Sequence, residues 1–317
     1  MGRRIDGRGV AENRRCSTIG HTPDRVARRT GQMRKRVKNE GVVLVNVLVI
    51  LVIAGGLMAL LLSTQEASLA RVSRSADAST VEQIAFGAEA SVVDALRRDL
   101  DDAPETDHFQ EPWALGVIQD EVTLPTGKFS VQVSDLQAKF DINQLADSNV
   151  GTQAFTRRLL LALDQPAETA NQISRILEVV GRVRQLDDLA AFGVSTETLA
   201  ALAPYVVALP VDGTINLNSV DPFLLAVMLQ NQSQAKQLVL IREGRGSLRL
   251  EDLKTVGALR PQNSGLISNT FRIDIEAQAG TSEINMQSFI FRQNARGIKV
   301  VSILERHFVY DTPDDNQ

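Results

Sequence analysis

Five carboxylates stand within nine positions, Asp99, Asp101, Asp102, Glu105 and Asp107. Carboxylate oxygens are what a hard cation such as calcium takes as ligands. The run lacks the spacing of an EF-hand loop, and a solvated helix end is the plainer reading of Asp99, Asp101 and Asp102. The histidines, His21, His108 and His307, fall in no metal or triad motif. The single cysteine is Cys16, so residues 42–317 have no thiol nucleophile, no cysteine-based zinc site and no intrachain disulfide. There is no phosphate-binding glycine loop. The chain therefore reads as a non-enzyme, with no cofactor and no small-molecule substrate. Its sharpest chemical signal is a junction: basic residues, then Gly41, then an apolar run from Val42. Glycine leaves the peptide bond before Val42 without side-chain obstruction, which suits proteolysis at a membrane face. The competing reading is an ordinary membrane anchor with a basic flank.

The elements around that junction follow from charge and hydropathy. Residues 42–63 carry no charge, and Asn46 is the one polar interruption before Ser63. At 1.5 Å per residue the run spans about 33 Å, enough for a bilayer core. Residues 1–41 hold 12 Lys/Arg and 4 Asp/Glu, out of totals of 34 and 38, which leaves 22 basic and 34 acidic residues after Gly41. A basic leader before an acidic body predicts a cytoplasmic N-terminus and a body on the far side of the membrane. It argues against a nucleic-acid-binding body. A cleaved secretory signal is the alternative, but the run exceeds a usual apolar core and no small-residue cleavage site follows it. Asn46 can hydrogen-bond but cannot neutralise a charge, so it is either a tolerated polar residue or a functional one. Met1 and Met33 are both candidate starts.

No proline occurs between Val42 and Ala103, and Leu69, Val72, Val81, Ile84, Ala88, Val92, Ala95, Leu96 and Leu100 fall mostly three or four apart. This predicts one helix from Val42 to Leu100 that passes from membrane to head, with an apolar face for the head. Asp101, Asp102 and Pro104 end it. Lys128–Ser134 alternates as a strand, and 271–277, 283–292 and 297–306 read as an antiparallel meander. Helices are expected over 152–163 and in two or three pieces over 170–209. Two echoes recur: Leu186–Gly193 matches Leu250–Gly257, and Phe140–Leu145 matches Ile215–Val220. Glycine-containing hairpins of this kind can bind DNA through backbone amides. Here they carry Asp187, Asp188, Glu197, Glu251 and Asp252, and the cluster Arg242, Arg245 and Arg249 has no interleaved aromatics. Helix packing is the favoured role.

These residues together resemble the K-type minor pseudopilins of the type II (general) secretion pathway. The resemblance runs from Gly41 to about Arg306. It rests on Gly41-Val-Val-Leu-Val, Gly87-Ala-Glu-Ala with Leu96-Arg-Arg-Asp-Leu100, Glu111-Pro-Trp113, and Asp135–Leu145. Further on it rests on Leu202–Pro210 and Ile215-Asn-Leu-Asn218, in shared order. It implies an α+β fold: a pilin-like long N-terminal helix packed on an antiparallel sheet, with a mostly helical (SAM-like, helix-hairpin-helix-like) insertion domain. The implied organisation is a removed leader over 1–41 and a transmembrane segment over 42–63. Periplasmic helix and first strands follow over 64–143, the helical insertion over 144–268, C-terminal strands over 269–307 and a polar tail over 308–317.

The resemblance also implies an inner-membrane protein whose bulk is periplasmic, cleaved and N-methylated by a prepilin peptidase so that Val42 becomes the first residue. Implied partners are the I- and J-type minor pseudopilins and the major pseudopilin. Most pilin-like subunits have a glutamate at the fifth mature position, to pair with a neighbour's ammonium. Asn46 is uncharged, as is typical of this branch, and points to a place at the pseudopilus tip with nothing stacked above. Calcium binding is implied too, but the family's acidic segment is missing: Ile176–Arg182 runs almost directly into Gln185–Leu189. The alternatives are a minor pilin of a type IV pilus or competence machine that contacts DNA, and a plain single-pass membrane protein.

Overall fold

The structure is a computed structural model that describes residues 40–102, 105–115, 121–147, 149–295 and 298–309. The expectations for the leader before residue 40, for Pro104 and for the tail from residue 310 lie outside the described residues. One helix, α1, runs from Glu40 to Asp102, as the proline-free, helix-period sequence requires. It contributes to both of the compact units into which the chain divides, Met1–Ser63 and Thr64–Gln317.

In the first unit every residue from Val42 to Ser63 is exposed. The apolar window has a mean hydropathy of 2.8, and none of its residues is buried. An unbroken apolar cylinder is long and greasy enough to cross a bilayer, and a helix is one of two backbone forms that satisfy their own polar groups there.

In the second unit α1 buries a single stripe: Val81, Ile84, Ala85, Ala88, Val92, Leu96 and Leu100. The predicted stripe began earlier, but Leu69 and Val72 are 70% and 67% exposed. The reason is where the sheet stops. Asp77 accepts a hydrogen bond from the backbone N–H of Thr281, in the turn at the end of the sheet (3.2 Å), and α1 residues before it have no strand to lie on.

That sheet has five antiparallel strands. The segments in chain order are β1 (Val122–Leu124) and β2 (Gly127–Asp135), then, after the helical part, β7 (Thr270–Ala279), β8 (Ser282–Ala295) and β9 (Ile298–Val309); their spatial order is the same, β1-β2-β7-β8-β9. Phe271, Ile273, Ile275 and Ala277 alternate inward against α1 with Val131, Met286, Ile290 and the Trp113 indole. Arg272, Asp274 and Glu276 take the opposite face. Trp113 sits on a short helix, α2 (Pro112–Leu115). A bulge interrupts the β8–β9 register between Phe289 and Ile290. Gly127 is needed at the β1–β2 turn, since a Cβ there would come 2.2 Å from the Gln278 carbonyl oxygen.

Between Asp135 and Thr270 the chain builds a helical part with its own core of Leu145, Leu159, Ile173, Leu177, Leu202, Leu224 and Leu238 among others. Its helices are α3 (Val150–Ala162), α4 (Thr169–Val180), α5 (Thr196–Leu202), α6 (Pro222–Leu229), α7 (Gln232–Arg245) and α8 (Leu250–Thr255). Four two-residue strands pair in parallel: β3 (Phe140–Asp141) with β4 (Val206–Val207), and β5 (Ile215–Asn216) with β6 (Ser264–Gly265).

The sequence echoes are two copies of one hydrogen-bonding scheme. Asn143 Oδ1 accepts from Val183 N (3.0 Å), and Asn218 Oδ1 from Leu248 N (2.7 Å). Gln172 and Gln234 each donate from Nε2 to the carbonyl of Gly193 or Gly257 (both 2.9 Å). Asp188 and Asp252 each accept from the backbone three residues earlier, at Gln185 (3.0 Å) and Arg249 (2.6 Å). Gly193 and Gly257 both have positive φ, +87° and +69°, where a side chain would be strained.

Candidate functional site

Gly41 and Val42 lie in the first turn of α1, and Val42 is 62% exposed. Asn46 is exposed on the apolar stretch, about 6 Å along the axis from Val42. Its carboxamide is the one polar side chain between Val42 and Leu62. It faces whatever surrounds the helix, and an amide there can hydrogen-bond to a neighbouring helix without leaving an unpaired charge in hydrocarbon.

The acidic run at the other end of α1 divides. Asp101 is exposed and meets Lys299 Nζ at 2.5 Å, and Asp102 is exposed as well. Asp99 turns inward. The three do not share a site: Asp101 projects from the other side of the helix, and Asp102, one turn on from Asp99, stays exposed beyond the buried patch. Instead, Asp99 gathers with buried Asp107 and Glu111, whose oxygens lie within 4.8 Å of one another.

This trio has the composition of a cation site, and a cation of the chain's own fills it. Arg292, 1% exposed, puts Nη1 2.5 Å from Asp99 Oδ2 and pairs through Nη2 with Asp107. Its Nε donates to the Ser268 carbonyl (3.2 Å), and its guanidinium carbon lies 4.6 Å from the Phe271 ring centre. Glu111 Oε2 accepts from Trp113 Nε1 (2.6 Å) and His108 N (3.2 Å), and its other oxygen is 3.4 Å from His108 Nε2. The guanidinium stands between Asp99 and Asp107, where a bound cation would have to sit. A second carboxylate pair, Asp141 and Asp212, is likewise bridged by an arginine, Arg182.

Burial crowds these carboxylates and favours their neutral forms. Burial pushes the Glu111 carboxyl up to about 7, despite the Trp113 hydrogen bond and with Asp99 repelling it. Asp99 is raised by burial against the pull of Arg292. His108 is lowered, again by burial first. A carboxyl raised on folding binds protons more tightly in the folded state, so its contribution to stability declines as pH climbs from about 4.5 to about 7. The His108 effect runs the other way, below the usual histidine range. Glu111→Gln keeps an acceptor for Trp113 and deletes the carboxyl. Urea midpoints from pH 5 to 7.5 should fall with pH less steeply in this variant than in the parent. Superimposable profiles would show that Glu111 does not carry the effect.

A second buried network joins sheet to helical part. Asp135 Oδ2, at the end of β2, accepts from Ser268 Oγ (2.6 Å), Asn216 Nδ2 (3.2 Å) and Ser219 Oγ, and Oδ1 accepts from Gln137 N (2.8 Å). Burial raises this carboxyl as well, against the lowering by its hydrogen bonds.

The basic cluster of the hairpins is dispersed. Arg242 donates to the Leu217 and Val220 carbonyls (3.2 and 2.8 Å), and Arg245 is paired with Asp252. The Gly193 and Gly257 amides are bonded to Ala190 and Lys254 carbonyls (both 3.0 Å). The hairpins thus spend their amides and much of their positive charge internally, in line with packing.

Sequence reading did not gather Arg292, Glu111 and Asp107 into one site. The available signal was phase: Met286, Ser288, Ile290 and Arg292 share one face of β8, so a charged residue stood in the inward register.

No family model matches the chain. A curated protein, type II secretion system protein K from Pectobacterium carotovorum subsp. carotovorum, is 30% identical over 162 residues, 46% of this chain. The chain spans 45% of that relative's length. Among solved structures, a chain in the crystal structure of the GspK-GspI-GspJ complex from the enterotoxigenic Escherichia coli type 2 secretion system matches with a TM-score of 0.57 at 18% identity. That match covers 76% of this chain and 99% of that one. The α+β architecture, long helix on antiparallel sheet with several further helices, is the fold the two share. In sequence over part of its length and in fold over most of it, this chain is similar to the K-type minor pseudopilins of type II secretion.

Proposed function

We propose that the chain is a minor pseudopilin that caps or initiates the periplasmic pseudopilus of a type II secretion system, for export of folded proteins across the outer membrane. One observation carries the reading: an apolar, uncharged helical stretch continues without a break into the helix whose buried stripe is the spine of a sheet-based head. A pilin-type subunit has to combine those two properties in one helix. The likeness to a protein K supports the same reading. The enlarged head supports a tip position, since the helical part adds bulk that a subunit stacked above would have to avoid. In this role the chain binds I- and J-type minor pseudopilins and the major pseudopilin, and performs no catalysis. It sits in the inner membrane with its bulk in the periplasm, after a prepilin peptidase has cut between Gly41 and Val42.

Asn46 then lies at the fifth mature position, where an amide leaves no charge for a neighbour to neutralise. N-terminal sequencing of the membrane-extracted protein tests the reading directly. With the peptidase present, the expected N-terminus is methylated Val42; without it, the leader remains. An N-terminus at Met1 or Met33 in cells that contain the peptidase would sink the proposal. Co-purification of the detergent-extracted chain with the I- and J-type subunits tests the partners separately.

A further inference from the structure

The helical part contains a recess of about 520 Å³, lined by residues from α3, the α6–α7 connection and the 257–263 loop, with Phe140 and Ile215 of the two small parallel pairs also in its wall. This volume lies in the range of ligand pockets. Two features give it chemical character. Arg158 and Arg260 line it and no Asp or Glu does, although the chain after Gly41 carries 34 acidic against 22 basic residues. The two arginines also differ. Arg260 spends Nε and Nη2 on the Ser264 carbonyl. Arg158 has no ion pair among the described residues, and its Nε is buried without a hydrogen-bond partner. Of the two guanidinium groups in the wall, Arg158 is therefore the one not committed to an oxygen of the described residues, and the acceptors it lacks there can come from an occupant of the recess.

The rest of the wall is mixed: Phe140, Phe155, Ile215, Met228 and Leu229 supply apolar surface, and Thr152, Gln230, Gln234, Gln262 and Asn263 supply uncharged polar groups. The apolar surface also continues outward. Leu259, which lines the recess, is 89% exposed, and Val150, next in the chain to lining residue Gly151, is 81% exposed. An occupant confined to the recess would leave both side chains in water. A longer one would cover them.

We propose that this recess binds a segment of another polypeptide, a carboxylate side chain flanked by apolar residues, with the carboxylate on Arg158 and the apolar neighbours against Leu259 and Val150. Charge complementarity favours an anionic segment, and the exposed rim favours a chain over a compact small molecule. The site needs no filament to form, so it stands or falls apart from the pseudopilus reading.

The test uses the full chain in detergent micelles and fluorescence anisotropy of a labelled pentapeptide, Leu-Phe-Asp-Leu-Gly, with C-terminal amide. Saturable binding is expected, about tenfold tighter than for the Leu-Phe-Asn-Leu-Gly counterpart, the scale of one charge-assisted pair. Arg158→Gln should erase the preference for aspartate. Arg157→Gln, which alters an arginine already bonded to Asn171 (2.6 Å), should leave it intact. Leu259→Ser, on an exposed side chain that folding does not need, should weaken both peptides alike. Equal affinity for the Asp and Asn peptides, absence of saturable binding, or an equal loss in Arg157→Gln and Arg158→Gln would each overturn the proposal.

Discussion

Replacing Arg292 with methionine should lower the unfolding free energy by about 3–5 kcal/mol, the usual cost of removing one partner of a buried ion pair. The size follows from what is left behind. Asp99 and Asp107 are buried at 6% and 1% exposure, and without the guanidinium they would face each other and Glu111 with no cation between them. The strain reaches several elements at once. Arg292 ties β8 to α1 through Asp99, to the 105–111 loop through Asp107, and to the Ser268 carbonyl at the return from the helical part. Urea unfolding of the detergent-solubilised chain, followed by circular dichroism, measures the loss. Two controls separate lost charge pairing from lost packing. The deficit should shrink toward pH 4, where the stranded carboxyls take up protons. Arg292→Met combined with Asp99→Asn and Asp107→Asn should recover most of it, since a neutral buried cluster is far less costly than an unpaired one. A triple variant no better than the single would assign the loss to packing.

The second large effect is expected at Asp135. Asp135→Ala strips the acceptor from two hydroxyls, one carboxamide and one backbone N–H in a site closed to water. Each buried donor left unsatisfied costs about 1–3 kcal/mol. Some will find other partners, so a total near 3 kcal/mol is expected. Asn216→Asp should destabilise for a different reason, by bringing a second carboxylate to Asp135, and its deficit should grow with pH. The loss should also have an address. Asp135 and Ser268 lie where the chain leaves and re-enters the sheet, so hydrogen exchange should rise first at 135–140 and 265–270 and only later in the Leu145–Leu238 core. Uniform acceleration across the chain would contradict a joint at this position.

Much of the architecture was legible because local and tertiary demands agree. In α1 the absence of proline and the three-to-four spacing specify a helix whatever surrounds it, and the observed span, Glu40–Asp102, differs from the expected one by two residues at each end. The strands at 270–279, 282–295 and 298–309 alternate clearly because one face lies on α1. The small parallel pairs were not legible, since two residues carry no period and each partner is distant in sequence: Phe140 with Val206, Ile215 with Ser264. Helix α6 was missed for a related reason. PFLLAVML is apolar all round, so it has no amphipathic signature. The echoes were visible as letters, but their shared role as a hydrogen-bonding template appeared only in the geometry of Asn143, Asn218, Gln172 and Gln234. The Arg292 site was least legible, because its four side chains come from helix, loop and strand and meet only after the head has folded.

The bulge at Phe289/Ile290 bears on a hazard every open sheet carries. One edge of this sheet is the three-residue β1, too short to recruit a stranger. The other is β9, twelve residues long. A flat edge of that length offers a row of unpaired amides and carbonyls on which other copies could zip, and such growth ends in amyloid-like deposits. The misregister at Phe289/Ile290 breaks the row partway along, increases the local twist, and sits beside the charged and polar side chains of Glu305 and His307. An edge broken and charged in this way is a poor template for pairing with another copy.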